Sequence, residues 1–207
     1  MATETLRMSY RRHLRASALK AAYDMTVEKG WNRVRVADVA AEIGVSRPML
    51  YKEFGDKQGL GDALVLNEAE RFLLGIQAVL DEHSEQAANA ITESVRFTLH
   101  EAEVSPLLKA VLTASRSGGD EGTGVLPLIA TSASLLELAS ERLVDWFMEH
   151  FPELVHQDVV DGVDALIRLT VSHLVLPTAD TTETGRRISQ VALRYLALAP
   201  NRDQSVS

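Results

Sequence analysis

The sequence predicts an all-α protein, with an N-terminal three-helix helix-turn-helix domain followed by a larger helical domain, about nine helices in all. Three observations carry this expectation. Apolar residues recur at helical spacing along most of the chain. No stretch shows the strict apolar-polar alternation of a half-buried strand. The run Val36 to Phe54, VADVAAEIGVSRPMLYKEF, contains two short amphipathic segments parted by one glycine, the pattern of a helix-turn-helix.

The elements follow in order. Residues 1–8 read as a loose arm. Tyr10 to Lys29 reads as a first helix, with Leu14, Ala18, Ala21, Ala22, Met25 and Val27 available to pack and Gly30 ending it. Arg7, Arg11, Arg12 and Arg15 load its first turns with positive charge, which the helix dipole disfavours. A solvated face and nearby phosphates both account for that charge. In the second helix Val36, Val39, Ala40 and Ile43 form the apolar stripe. Gly44 then stands where a left-handed residue is needed, and Val45 can tuck inward. Ser46 is placed as the N-cap of the third helix, with Pro48 in its first turn. Leu50, Tyr51 and Phe54 give that helix its own stripe. Helix-glycine-helix patterns also occur as plain packing units. Here, however, Arg47, Met49, Tyr51, Lys52 and Lys57 gather at and after the third helix, and Arg33 and Arg35 precede the second. Cations and a phenol are what phosphates and base edges require.

Gly55-Asp56-Lys57 breaks the chain, with Asp56 placed to cap a fourth helix from about Lys57 to about Asp81. Leu60, Leu64, Leu66, Phe72, Leu73, Ile76 and Leu80 are expected inward, and Asp62, Glu68 and Glu70 outward. The length of this helix makes it a lever between a domain over residues 1–56 and a second over 57–207. A fifth helix is expected from Ser84 or Glu85 to Glu103, and a sixth from Ser105-Pro106 to about Ala114. Ser117 to Gly124 (SGGDEGTG) is a loop. A seventh helix should span about Pro127 to His150, stopped by Phe151-Pro152. The eighth runs from Gln157 or Asp158 to Val175, and the ninth from Thr181 to Leu198, ended by Pro200. Val159, Val163, Leu166, Ile167, Thr170, Val171 and Leu174 line helix 8; Ile188, Val191, Ala192, Tyr195, Leu196 and Leu198 line helix 9. These stripes either close the monomer core or meet a second copy.

The formal charge of −8 conceals an asymmetry. Residues 1–60 hold eleven Lys and Arg against seven Asp and Glu, and the remainder ten against twenty-two. A basic head on an acidic body points to nucleic-acid contact by the head. There is no cysteine, so disulfides and thiolate metal sites are excluded. No run approaches the roughly 20 apolar residues of a membrane span, and a soluble cytoplasmic protein is expected. None of the six histidines lies four residues from another, and no metalloprotease, nucleophile-elbow or phosphate-loop motif appears. No cofactor or metal is expected, and no enzyme.

The run Gly30 to Leu60, GWNRVRVADVAAEIGVSRPMLYKEFGDKQGL, resembles the DNA-binding domain of the TetR family of transcriptional repressors. Gly30-Trp31, Asp38-Val39-Ala40, Gly44-Val45-Ser46, Leu50-Tyr51, Phe54 and Lys57 before Leu60 carry the likeness. It covers roughly the first 60 residues; the remainder is similar in length and helical pattern. One departure is Arg35, where the family usually places Thr or Ser.

The resemblance implies a repressor that binds palindromic operator DNA as a homodimer, with helices 8 and 9 forming a four-helix interface with the symmetry mate. Arg47 and Met49 are then expected to read base edges, Met49 by apolar contact. Tyr51, Lys52 and Lys57 are expected to hold phosphates, together with Arg35, Ser46 and Pro48. The resemblance also implies a ligand pocket among helices 4 to 7. Phe72, Ile76, Phe97, His100, Leu108, Leu112, Leu143, Trp146 and Phe147 are its candidate lining. Walls so aliphatic fit a fatty acid or acyl derivative better than a cationic drug. The segment YKEFGDKQGLGDALVLNEAERFL is similar to actinobacterial TetR-type repressors associated with alkane hydroxylation and lipid export, which implies control of such genes. Two alternatives stay open: an all-α binding protein or enzyme whose helix-turn-helix is incidental, and an activator on the same scaffold.

Overall fold

The computed structural model describes residues 2–113 and 129–196. Helix α1 spans Ala2–Lys29, and a 3-10 turn at Trp31–Arg33 leads into α2 (Val36–Glu42) and α3 (Arg47–Phe54). The body holds α4 (Lys57–Glu82), α5 (Ala87–Val104), α6 (Pro106–Thr113), α7 (Ile129–His150), α8 (His156–Val175) and α9 (Thr181–Tyr195). No strand occurs among the described residues. The expected loop at Ser117 to Gly124, the start of helix 7 at Pro127, and Leu198 and Pro200 lie outside them.

Two apolar clusters organise these helices. The first belongs to the head: Leu14 and Ala18 of α1, Trp31, Val34, Val39, Leu50 and Phe54 pack together. It also takes in Leu60, Leu64 and Val65 from the start of α4, and Leu107 and Val111 from α6, distant in sequence. The second unites the far half of α4 with α5, α7, α8 and α9 around Phe72, Ile91, Phe147, Val159 and Ile188. Helix α4 enters both clusters, so it joins head to body without a linker.

The turn of the helix-turn-helix follows from one residue. Gly44 adopts φ +68, and a side chain there would meet nothing within 4 Å. Its constraint is therefore backbone conformation, which L residues rarely adopt at positive φ. Elsewhere glycine serves close approach: a Cβ on Gly75 would lie 2.4 Å from the Phe97 ring, where α5 crosses α4.

Several expectations are corrected. Helix α1 begins at Ala2, so residues 2–8 are helical where a loose arm is expected. Two of its arginines do structural work. Arg11 Nε lies 2.6 Å from Glu53 Oε2, and Arg15 Nη1 lies 3.3 Å from Glu53 Oε1, bracing α1 against α3. Val27 is exposed and does not pack. Tyr51 is exposed as well, and Leu50 and Phe54 are the buried residues of α3. On α4, Leu66 is 55% exposed whereas Glu68 is 4% exposed, the reverse of the expectation. The cause is tertiary: α4 is contacted by α1, α5 and α6, so its buried arc follows Ala63, Leu64, Val65, Glu68 and Ala69. The stripes of α8 and α9 mostly close the monomer. Val159, Val163, Leu166, Ile188 and Ala192 are buried there, while Val191 and Tyr195 stay about half exposed.

Candidate DNA interface and effector cavity

Helix α3 presents Arg47, Pro48, Tyr51 and Lys52 to solvent, with Ser46 exposed just before it. Arg33 and Arg35 are exposed at the entry to α2. Arg33, Arg35, Arg47 and Lys52 have no side-chain partner among the described residues, so their charge is available to an anion. The sole carboxylate of α3, Glu53, is turned to α1 and neutralised by Arg11 and Arg15; Arg15 also lies 5.1 Å from the Phe54 ring centre. This leaves the outer face of α3 cationic. The hydrogen bond to Glu53 holds the Arg11 guanidinium even more firmly protonated than usual.

Ser46 occupies the N-cap position, but its hydroxyl caps nothing. Pro48 lacks an N–H, and the Met49 N–H donates to the Ser46 carbonyl at 3.0 Å. The hydroxyl is thus spare. Two expected contacts are placed differently from the rest. Met49 is half-buried and packs against the head cluster. Lys57 donates through Nζ to the Asn32 carbonyl at 3.1 Å and sits 5.2 Å from the Trp31 ring centre, clamping the start of α4 to the 3-10 turn.

Where head meets body lies a polar network that periodicity did not reveal. Buried Glu68 accepts from Ser105 Oγ at 2.7 Å and from Arg71 Nη2 and Nε at 3.0 and 3.2 Å. Ser105 Oγ in turn accepts from Tyr23 OH and from the Leu108 N–H, each at 3.2 Å. Arg71 also reaches Glu101 Oε2 at 2.9 Å. Hydrogen bonding to Glu68, the largest influence, drives the Arg71 guanidinium further toward permanent protonation. Thus α1, α4, α5 and the start of α6 are tied through one carboxylate, consistent with the rule that a buried charge needs partners. A Glu and an Arg three residues apart read as an ordinary surface pair, so no sequence signal marked the site.

Beyond this junction, α4, α5, α6, α7 and α8 line a cavity of about 70 Å³. Of the candidate lining, Phe72, Ile76, Leu108, Leu112 and Leu143 border it. Phe97, His100, Trp146 and Phe147 do not. Phe97 stacks on Phe72 from behind, ring centres 6.0 Å apart. His100 is exposed on α5. The Trp146 indole donates to Asp81 Oδ1 at 3.0 Å and stacks on His150, while Phe147 is buried in the body core. Leu166 and Thr170 of α8, expected in the stripe of that helix, line the cavity instead, as do Ser94 and Thr98 of α5. The three hydroxyls are already spent. Ser94 donates to Ile91 O at 3.1 Å, and Thr98 and Thr170 to Ser94 O and Leu166 O at 2.8 Å. Among the described residues the wall carries no charge. Helix α6 is shared: Leu107 and Val111 enter the head cluster, and Leu108 and Leu112 face the cavity side.

Residues 18–64 match the family profile described as bacterial regulatory proteins, tetR family, and residues 86–194 that of the bacterial tetracyclin repressor C-terminal domain. The chain belongs to the TetR family. It is 31% identical over 165 residues to the HTH-type transcriptional regulator AlkX of Mycobacterium tuberculosis, spanning 79% of this chain and 76% of that protein. The crystal structure of the TetR family repressor AlkX from a Dietzia species, implicated in biodegradation of n-alkanes, superposes with a TM-score of 0.64. It is 26% identical and covers 87% of this chain and 96% of its own. The fatty acid degradation regulator FadR of Bacillus halodurans shares the fold, at 18% identity and a TM-score of 0.59 over 86% of this chain and 97% of its own. As a TetR-family member the protein is a helix-turn-helix transcriptional regulator. No helix among its described residues is long and apolar enough to cross a membrane.

Proposed function

We propose that the protein is a cytoplasmic, ligand-responsive repressor rather than an enzyme. It binds palindromic operator DNA as a homodimer, is released by an apolar small molecule such as a fatty acid or acyl derivative, and controls genes of lipid or alkane metabolism or export. Arg47 reads a base edge. Ser46, Pro48, Tyr51, Lys52 and Arg35 hold the phosphate backbone, with Met49 and Lys57 contributing more to packing. The dimer forms through α8 and α9, on the face left open around Val191 and Tyr195.

One observation carries this reading. A cavity whose described walls carry no charge borders α4 and α6, and both helices also build the core of the DNA-binding head. The cavity of about 70 Å³ is roughly half the ~150 Å³ apolar cavity that takes up benzene in another protein. A long chain must therefore push the walls apart, which favours a state with α4 displaced. Shifting a 99:1 equilibrium to 1:99 needs about 5.5 kcal/mol of differential affinity. At about 0.8 kcal/mol per buried methylene, roughly seven methylenes buried in the spread state suffice. Spreading the recognition helices beyond the ~34–36 Å repeat of the major groove then breaks operator binding. The relationship to two AlkX regulators, one of them implicated in n-alkane biodegradation, supports the lipid-linked assignment.

The test begins with a footprint on DNA flanking the protein's own gene, then titrates acyl chains of graded length against the complex. Release should strengthen with chain length to a limit. Leu112→Trp should lower that limit, and Phe97→Trp, behind the wall, should leave it nearly unchanged. Release independent of chain length, or stronger release by small cationic drugs, defeats the apolar-effector reading.

A further inference from the structure

The cavity does not end at its apolar wall. Leu73, Ile76, Ala139 and Leu143 line both the cavity and a crevice between α4 and α7 whose remaining borders are Gln77, Leu80 and Arg142. Those four apolar side chains stand between the cavity and the polar rim of the crevice, so parting them opens an apolar passage from the interior to that rim. At that rim Gln77 Nε2 donates to Asp81 Oδ1 at 2.8 Å, and the same oxygen accepts the Trp146 N–H. The Asp81 charge is thus engaged by two donors. Arg142 differs: it is exposed, and its guanidinium has no hydrogen bond or ion pair among the described residues.

The cavity interior cannot take a charged group. Its three hydroxyls are committed to their own helices, and an unpaired carboxylate there would lose hydration with nothing in return. The polar end of an amphiphile must leave the cavity, and the passage delivers it to an unpaired cation. A guanidinium is also the group best shaped to take a carboxylate bidentately. We propose that Arg142 is the headgroup subsite for a single-chain carboxylate whose tail fills the cavity through the Ile76–Ala139 passage. This rests on the apolar-effector reading above and deepens it: the ligand is an anionic amphiphile and not a bare hydrocarbon.

The experiment is calorimetric titration of the full-length protein with decanoate and with methyl decanoate, for the wild type, Arg142→Gln and Arg142→Lys. Arg142 is exposed and makes no hydrogen bond or ion pair among the described residues, so the substitutions leave the fold intact. Arg142→Gln should weaken decanoate about tenfold, the loss of one charge-assisted contact. Arg142→Lys should restore most of that loss, and methyl decanoate should bind all three proteins alike. Unchanged decanoate affinity in Arg142→Gln, or equal weakening of acid and ester, overturns the subsite while leaving the apolar effector standing. If the wild type takes up neither molecule, both readings fall.

Discussion

The head and the body of this protein keep their function on opposite sides of their surfaces. The head works outward: its core is closed by Leu50, Val39 and Trp31, and cations without partners stand on the exposed face of α3. The body works inward: most of its arginines among the described residues are paired with carboxylates, and its distinctive feature is a space between five helices whose described walls carry no charge. An outward site is set by which residue types are exposed after a turn. An inward site is set by how each helix is rotated about its axis, which depends on all its neighbours at once. The two regions meet at α4, α6 and the Glu68 network, so a disturbance on one side can be read on the other.

The largest effects should come from breaking each core in turn. Phe147→Ala in the body should cost about 3–5 kcal/mol and Leu50→Ala in the head about 2–5 kcal/mol, since both side chains are buried. If α4 and α6 join the clusters into one cooperative unit, each variant lowers a single unfolding transition, seen alike by near-ultraviolet dichroism and calorimetry. Two separated transitions in either variant would show the regions to be independent.

The junction comes next. Glu68→Ala leaves the Ser105 hydroxyl without its acceptor, while Tyr23 still donates to Ser105 and Arg71, about half exposed, keeps Glu101. The cost is therefore below that of stranding a fully buried charge, roughly 1–3 kcal/mol. Denaturant unfolding gives that figure. The sharper readout is coupling: the variant should need more effector to release the same fraction of DNA, or release should fail. Stability lost with effector response intact would make Glu68 a packing residue only.

On the DNA face the effects are smaller and separable by salt. Lys52 is exposed and unpaired, so Lys52→Ala should reduce the slope of log affinity against log salt by about one. Lys57 is committed to Asn32 and Trp31, so Lys57→Ala should lower head stability while changing the slope less. Arg47→Ala should cost about 1–3 kcal/mol and relax preference at one base pair. A slope change as large for Lys57 as for Lys52 would mean that DNA pulls Lys57 from its clamp.

These contrasts explain what the sequence made legible. The helix-turn-helix was readable because glycine at positive φ marks each break, at Gly30, Gly44 and Gly55, and because cations at exposed positions have few other uses. Helices α4 to α9 were readable as elements from apolar spacing and from caps such as Asp56, which accepts from Gly59 N at 2.8 Å. What each helix faces was not. A helix apolar on more than one side has no unique inward face, so Leu66 and Glu68 exchanged places, and Leu166 and Thr170 went to the cavity. The partner of Glu53 lies 42 and 38 residues away, beyond the reach of any local pattern.

The smallest effect tests the claim that Arg186 and Arg187 of α9 are paired while Arg47 and Lys52 of α3 are not. Glu183, in the first turn of α9, accepts from Arg186 Nε and Nη2 and from Arg187 Nε, all at 2.7 Å. Hydrogen bonding to Arg186, then Arg187, lowers its carboxyl from 4.5 to about 2. A depressed folded value means the carboxylate favours the folded state. Its contribution is complete above pH 4.5 and fades as pH falls toward about 2. The group lies at the surface and is screened by solvent, so melting temperature should change little across that window. Carboxyl NMR of Glu183 is the better measurement. Its midpoint should lie near 2, rise more in Arg186→Gln than in Arg187→Gln, and drift upward in about 1 M salt, where the screening length shrinks to about 3 Å. A midpoint at the ordinary value would mean the arginines stand free in solution. The exposed charge of α9 would then be as available to an anion as that of α3, and pairing would no longer separate the two surfaces.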